Sequence, residues 1–184
     1  KEHGKPLTQA RDEIDASCGF IRYAAESARR IEGEIVTSEI DQEQTWIQRV
    51  PYGVTVGIVA WNFPLALAAR KFGNSLVCGN TMIIKPPSET PLTVMRLAEI
   101  IAKESSLPVG VLNFITGSGS EVGDALVRND VVKLVTLTGS TRAGLEVFRA
   151  AADHCVASSV WNWEERLHFI VMEDTDIDRA VKQP

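Results

Sequence analysis

From Val54 onward the sequence repeats one pattern four times: a short apolar strand, a turn, and a helix-like run. VTVGIVAW is followed by a turn holding Pro64 and by LALAARKFGNSLVCG; TMIIKP is followed by TPLTVMRLAEIIAKES. VLNFITG leads into EVGDALVRN, and KLVTLTG into TRAGLEVFRAAADH. HFIVMED, farther on, reads as a fifth strand. Parallel strands need a crossover of a dozen or more residues, and a helix is the usual one. Strands apolar along nearly their whole length are buried on both faces. The pattern therefore predicts an α/β fold, an open doubly wound parallel sheet. In such sheets ligands bind beyond the carboxyl ends of the strands. The ends to inspect are AWNFP, KPPSE, TGSGSEVG and LTGST.

Upstream the periodicity is different. Between Thr8 and about Ile31, the residues Ile14, Cys18, Ile21, Ala25 and Ala28 recur at helical spacing, with charges on the opposite side. This predicts a long amphipathic helix buried along that apolar row. EIVTSEI and QTWIQRVPYG, rich in β-branched residues, predict two short strands forming a hairpin-like arm. The division expected is residues 1–53 for the helix and arm, and 54–184 for the α/β domain.

A net charge of -5 and a pI near 5.3 argue against nucleic acid or an anionic membrane as the main partner. Cys18, Cys78 and Cys155 are far apart and have no metal-ligand spacing, so neither a disulfide framework nor a metal site is expected. Cys78 is expected to be a buried free thiol. No run reaches the ~18 apolar residues of a membrane span. Together these suit a protein of the reducing cytoplasm. The chain begins KEHGKPLTQA without Met, so its beginning is expected to lie upstream.

Taken singly, the residues at the strand ends are ordinary. Gly117, Gly119 and Gly123 are spaced GxGxxxG rather than as the usual dinucleotide fingerprint, which alone suits turn glycines. Gly139 and Ser140 read as a turn and an N-cap. Lys85 at a strand end is usually solvated, and Asn62 is usually a turn residue. Trp61 could cover a ring with its face, and the Asn62 amide could donate to a developing oxyanion.

In this order and spacing the segments AWNFP, GNTMIIKPPSETPL, PVGVLNFITGSGSEVG and VTLTGSTRAG closely resemble the cofactor domain of the NAD(P)-dependent aldehyde dehydrogenase superfamily. GKPLTQA and ESARRIEGEI resemble the segment just ahead of that domain, and EDTDIDRAV the segment after it, so the resemblance spans nearly the whole chain. VTVGIVAWNFPLALAARK is most similar to the lactaldehyde and glycolaldehyde branch. The resemblance implies that Asn62 stabilises the oxyanion of a thiohemiacetal, and that Trp61 and Lys85 meet the adenosine side, Lys85 at the ribose hydroxyls. It places Gly117, Gly119 and Gly123 beside the adenine, and Gly139 with Ser140 at the pyrophosphate. Strict NAD users in the family often carry Glu where this chain has Ser88. A neutral residue removes repulsion of a 2′-phosphate, so the cofactor implied is NAD or NADP. A small aldehyde as substrate and a homo-oligomer are also implied.

One segment departs from the family. Where it has LELGGK, whose Glu is a general base and whose glycines make room for nicotinamide, this chain has WNWEERLH. Back-translated with the codons TGG AAC TGG GAG GAA AGG CTC CAT and regrouped after a one-base phase shift, this segment can read Leu-Glu-Leu-Gly-Gly-Lys-Ala-Pro. Residues Trp161 to His168 are therefore read as the family motif translated out of frame, with the frame restored at Phe169. Asn162 then stands for the general base, and Glu164 and Glu165 for the glycines. The family's nucleophilic Cys belongs to a catalytic domain expected downstream of Pro184, and no Cys of this chain occupies a matching motif. By this reading the chain is the cofactor half of an aldehyde dehydrogenase and silent alone. The rival is a non-catalytic module that binds nucleotide or pairs with a full-length homologue. A kinase or short-chain reductase is disfavoured, because neither GxxxxGK[ST] nor a Tyr-x-x-x-Lys after the glycine turns occurs.

Overall fold

The computed structural model describes residues 2–154 and the backbone of 158–163. Helix α1 (Leu7–Glu26) runs into a 3-10 turn over Ser27–Arg30. The arm follows, as β1 (Glu34–Thr37) and β2 (Gln44–Ile47) paired antiparallel from Glu34 opposite Ile47 to Thr37 opposite Gln44. All eight arm strand residues are exposed, so the arm contributes nothing to the core.

The predicted repeat then forms in full: β3 (Val54–Ile58), α2 (Pro64–Val77), β4 (Thr81–Lys85), α3 (Leu92–Glu104), β5 (Leu112–Phe114), α4 (Asp124–Val127), β6 (Val132–Gly139) and α5 (Thr141–Asp153). The helix read from EVGDALVRN is short, because a π-helical turn over Gly119–Gly123 takes its first part. A last strand, β7 (Ser158–Trp163), completes a sheet of order β5-β4-β3-β6-β7. Every pairing in it is parallel. From β3 the chain steps outward through β4 to β5 and then returns to β6 on the other side of β3, and this reversal creates the switch point where α/β sheets bind ligands.

The two faces of β3 follow the period of a strand. Val56 belongs to one core with Val127, Val132, Val135, Ala150 and Ala151, beneath α4 and α5. Val59, the residue just after β3, belongs to the other, with Ala68, Ala69, Phe72, Met82, Ile84 and Val94, beneath α2 and α3. Burying a Val or Ile side chain of this kind contributes about 1.5–3 kcal/mol, which the doubly covered sheet collects on both faces.

Three expectations need correction. The row Ile14, Cys18, Ala25 and Ala28 of α1 is exposed, and only Ile21 of that row reaches the core. The buried row is Glu13, Ser17 and Ala24, one step round the helix. The reason is close approach: Gly73 of α2 lacks a Cβ, and one placed there would lie 3.1 Å from the Ala24 Cβ. Small residues let the two helices meet, and the larger apolar side chains are turned outwards. Second, Cys78 is exposed, since it follows the last residue of α2 and not its buried face. Third, the strand beside β6 is SSVWNW: Trp161, Asn162 and Trp163 pair with Leu137, Thr138 and Gly139. The first part of the out-of-frame segment thus supplies β-ladder backbone, which requires only extended residues. HFIVMED lies outside the described residues, as do Cys155, Glu164, Glu165 and His168.

Ala24→Leu should lower stability by about 1–3 kcal/mol, because the added atoms have no room beside Gly73. Thermal melts check this, and Ile14→Leu on the exposed side serves as the silent control.

Candidate active site

The carboxyl ends of β3, β4 and β6 bring together residues that lie far apart in sequence. Lys85 is the last residue of β4, and only 3% of it is exposed. Its Nζ donates to the Pro86 carbonyl at 3.2 Å, the one hydrogen bond it makes among the described residues. Burial pushes its pKa below the usual lysine value, and Glu89 pulls it part of the way back. A buried ammonium with one neutral acceptor keeps donors in reserve.

Gly123 lies against the Lys85 stem: a Cβ there would come within 3.8 Å of Cδ. Gly117 has φ +150, and a Cβ at that position would collide with Val122. The turn is closed by Ser118, whose Oγ accepts from the Glu121 N–H at 3.1 Å. A Cβ at Gly119 or Gly139 would meet nothing among the described residues, whose packing therefore does not require these two glycines. A group could approach the backbone closely there. Ser88 donates its hydroxyl to the Gly117 carbonyl at 3.1 Å and so ties the β4 end to the glycine turn.

Ser140 is the N-cap of α5, its Oγ accepting from the Ala143 N–H at 3.3 Å, as its place after a strand predicts. The first turn of α5 presents free amides and the positive end of the helix dipole to the same edge. Trp61 is 54% exposed, and its carbonyl accepts from the Thr90 hydroxyl. His3 stacks on it with ring centroids 5.6 Å apart, so one indole face is already covered. Asn62 Oδ1 accepts from the Phe63 N–H at 3.0 Å, which leaves the NH2 end of the amide to donate elsewhere.

Two residues escaped the sequence reading. Lys71 of α2 lies across the sheet and donates to Thr136 Oγ1 at 2.9 Å. Gly57 makes this possible, because a Cβ there would sit 3.2 Å from Lys71 Cδ and 2.7 Å from Ile84 Cδ1. Burial lowers the Lys71 pKa to about 8, helped by the charge of Arg70. Lys71 and Thr136 line a pocket of about 780 Å³ between α2 and β6, with Arg49, Arg70, Leu67 and Thr138. Among the described residues no carboxylate lines it. The second missed residue is Glu13, which sits 7% exposed behind Asn62. Its signal was a charged residue within the small-residue row of α1, legible only once that row is known to be the buried one.

Comparison with known proteins decides the family. Residues 1–183 match the aldehyde dehydrogenase family. The chain belongs to that family. It is 45% identical over 179 residues to the 3,6-anhydro-alpha-L-galactose dehydrogenase of Vibrio sp. (strain EJY3), covering 97% of this chain and 37% of that one. To the D-glyceraldehyde dehydrogenase (NADP(+)) of Thermoplasma acidophilum it is 40% identical over 185 residues, covering 99% of this chain and 36% of the other. Two solved aldehyde dehydrogenases superpose well. A 3,6-anhydro-L-galactose dehydrogenase in complex with NADP gives a TM-score of 0.85 over 96% of this chain and 37% of its own, at 45% identity. A lactaldehyde dehydrogenase gives 0.87 over 98% and 38%, at 39% identity. The α/β fold with a leading helix and arm is therefore that of the family, and the chain spans a little over a third of the length of these relatives.

The fit to a dinucleotide can be judged on the residues present. The reserve donors of Lys85, the open backbone at Gly119 and Gly139, and the first-turn amides of α5 are the groups that ribose hydroxyls and phosphates need. They fit.

Lys71 sets a pH test of the packing. Its folded pKa is below its unfolded one, so the folded chain binds fewer protons between pH 8 and about 10.5, and stability rises with pH across that window. Lys71→Met should flatten this rise and melt higher than the parent at pH 7, with the difference closing above about pH 10. Denaturant midpoints across that range check the sign.

Proposed function

We propose that this chain is the cofactor-binding portion of an NAD(P)-dependent aldehyde dehydrogenase, with residues 54–184 as the dinucleotide-binding domain. The observation that carries the reading is Lys85, a buried ammonium with spare donors at the switch point of the sheet. In this reading Lys85 holds ribose hydroxyls, and Trp61 flanks the adenosine side with the face that His3 leaves open. The turn through Gly117, Gly119 and Gly123 passes beside the adenine. Gly139 and Ser140 bring the α5 amides to the pyrophosphate. Ser88 is neutral where strict NAD users carry Glu, although the Glu89 carboxylate next to it acts on Lys85, and the cofactor proposed is NAD or NADP; the Thermoplasma relative is named for NADP.

When bound, the nicotinamide ring supplies the hydride acceptor for aldehyde oxidation. The NH2 group of Asn62 donates to the oxygen that gains charge as the aldehyde is attacked. Asn162, aligned with the general base, can accept no proton at neutral pH, and none of Cys18, Cys78 and Cys155 lies in a nucleophile motif. The chain by itself is therefore inactive, a binding half that acts on a small aldehyde only with the remainder of the enzyme. The exposed Ile35 and Trp46 of the arm suit burial in a homo-oligomer. No helix among the described residues is long and apolar enough to cross a membrane, and with free thiols at Cys18 and Cys78 a cytoplasmic setting fits.

Calorimetry with AMP, ADP-ribose and NAD tests the reading. ADP-ribose should bind as well as NAD, because the adenosine end is intact while the nicotinamide end has lost its motif. Lys85→Ala should weaken binding about tenfold or more, the worth of a charged hydrogen bond. No binding of any of the three at millimolar concentration would overturn the assignment. With glycolaldehyde and NAD present, NADH formation should stay far below ~1 per second.

A further inference from the structure

Helix α2 starts without a capping residue of its own: its N-cap is Phe63, which offers no side-chain acceptor. The free amides at its start are satisfied instead from a remote part of the chain. Glu13 Oε1 of α1 accepts from the Leu65 N–H at 2.8 Å and from the Ala66 N–H at 3.3 Å. The other carboxylate oxygen pairs with Lys5 Nζ at 2.6 Å, and both side chains are less than a tenth exposed. Lys5 in turn donates to the Asn62 carbonyl at 2.8 Å and stands 4.2 Å above the Phe63 ring.

One ion pair therefore grips both ends of the turn from Asn62 to Ala66. Around it, residues 2–5 lie along the carboxyl edge of the sheet. The Glu2 carboxylate accepts from the Leu92 and Thr93 amides at the start of α3, while His3 stacks on Trp61. The direction of the Asn62 side chain depends on this turn, because its Oδ1 is held by the next backbone N–H. A rotation of the Asn62 to Phe63 peptide would release that bond and reorient the NH2 group.

We propose that Lys5 and Glu13 are positioning residues for Asn62: Lys5 fixes its carbonyl, Glu13 fixes the helix start that follows, and together they aim its amide at the ligand edge. Removing either partner leaves the other buried and uncompensated, so the turn should reorganise rather than relax slightly. The proposal rests on the reading of Asn62 as the oxyanion donor only for its consequence in catalysis; the geometry it asserts is independent.

The test is the side-chain amide pair of Asn62 in the nitrogen-15 spectrum of the full chain, identified by its loss in Asn62→Asp. Lys5→Met should move this pair by more than its line width, and Lys5→Arg, which can still reach both oxygens, should restore it. Glu13→Gln keeps an acceptor for the Leu65 and Ala66 amides while removing the charge, and should move the pair by a smaller amount. If Lys5→Met does not fold, Glu13→Gln decides alone. Variants that melt lower while the Asn62 pair stays in place would reduce the ion pair to a structural role and overturn the proposal. Nucleotide binding by calorimetry fails or holds separately. Absent binding sinks the functional reading and leaves the amide response standing, whereas an unmoved amide with intact binding sinks the positioning role alone.

Discussion

Everything at the candidate site depends on the parallel pairing of β3 with β4 on one side and β6 on the other. Parallel strands all finish at the same edge, so this pairing alone gathers Trp61, Lys85 and Gly139 from positions nearly 80 residues apart in sequence. The pairing persists because each face of β3 is covered by helices and buries its side chains against them. The sheet thus acts as a fixed frame, and the chemistry is carried by the short turns beyond it.

Three lysines show how the frame is used. Lys85 is buried at the edge with donors unspent, Lys71 lies across the sheet on Thr136, and Lys5 is neutralised by Glu13. Desolvation penalises the charge in each of the first two, with Glu89 offsetting it in part at Lys85, and among the described residues only the third makes an ion pair with a carboxylate. A protein rarely keeps a buried ammonium without a full set of partners, and such groups concentrate at functional sites. The charges without an ion pair face the ligand edge and the pocket, while the paired one stands behind the turn that it holds.

The strand and helix repeat, the order of the elements and the glycine turns were legible in the sequence, because near-continuous apolar strands, turn residues and helical spacing are local signals. The motif resemblance also led to the right family. The burial of α1 was not legible. Its apolar row was the obvious inward face by periodicity, yet Gly73 and Ala24 permit a closer approach than that row could, and helix packing followed shape over hydrophobicity. Glu13 and Lys71 were missed for the same reason: a charged residue reads as solvated until the neighbour that buries it is known. The segment WNWEERLH read as foreign to the fold, and its first three residues nevertheless extend β6, since the backbone ladder asks for no particular side chain.

By itself the sequence determined the class of fold, the edge at which a ligand would sit and the residue types found there, because period, turn chemistry and motif spacing are written along the chain. Only the tertiary structure decided which cations lose their water, which face of α1 is covered and how the Asn62 amide is aimed. These depend on distances between residues such as Lys5, Glu13 and Asn62, and on the volume left free at Gly57 and Gly73. Neither exists until the layers have packed.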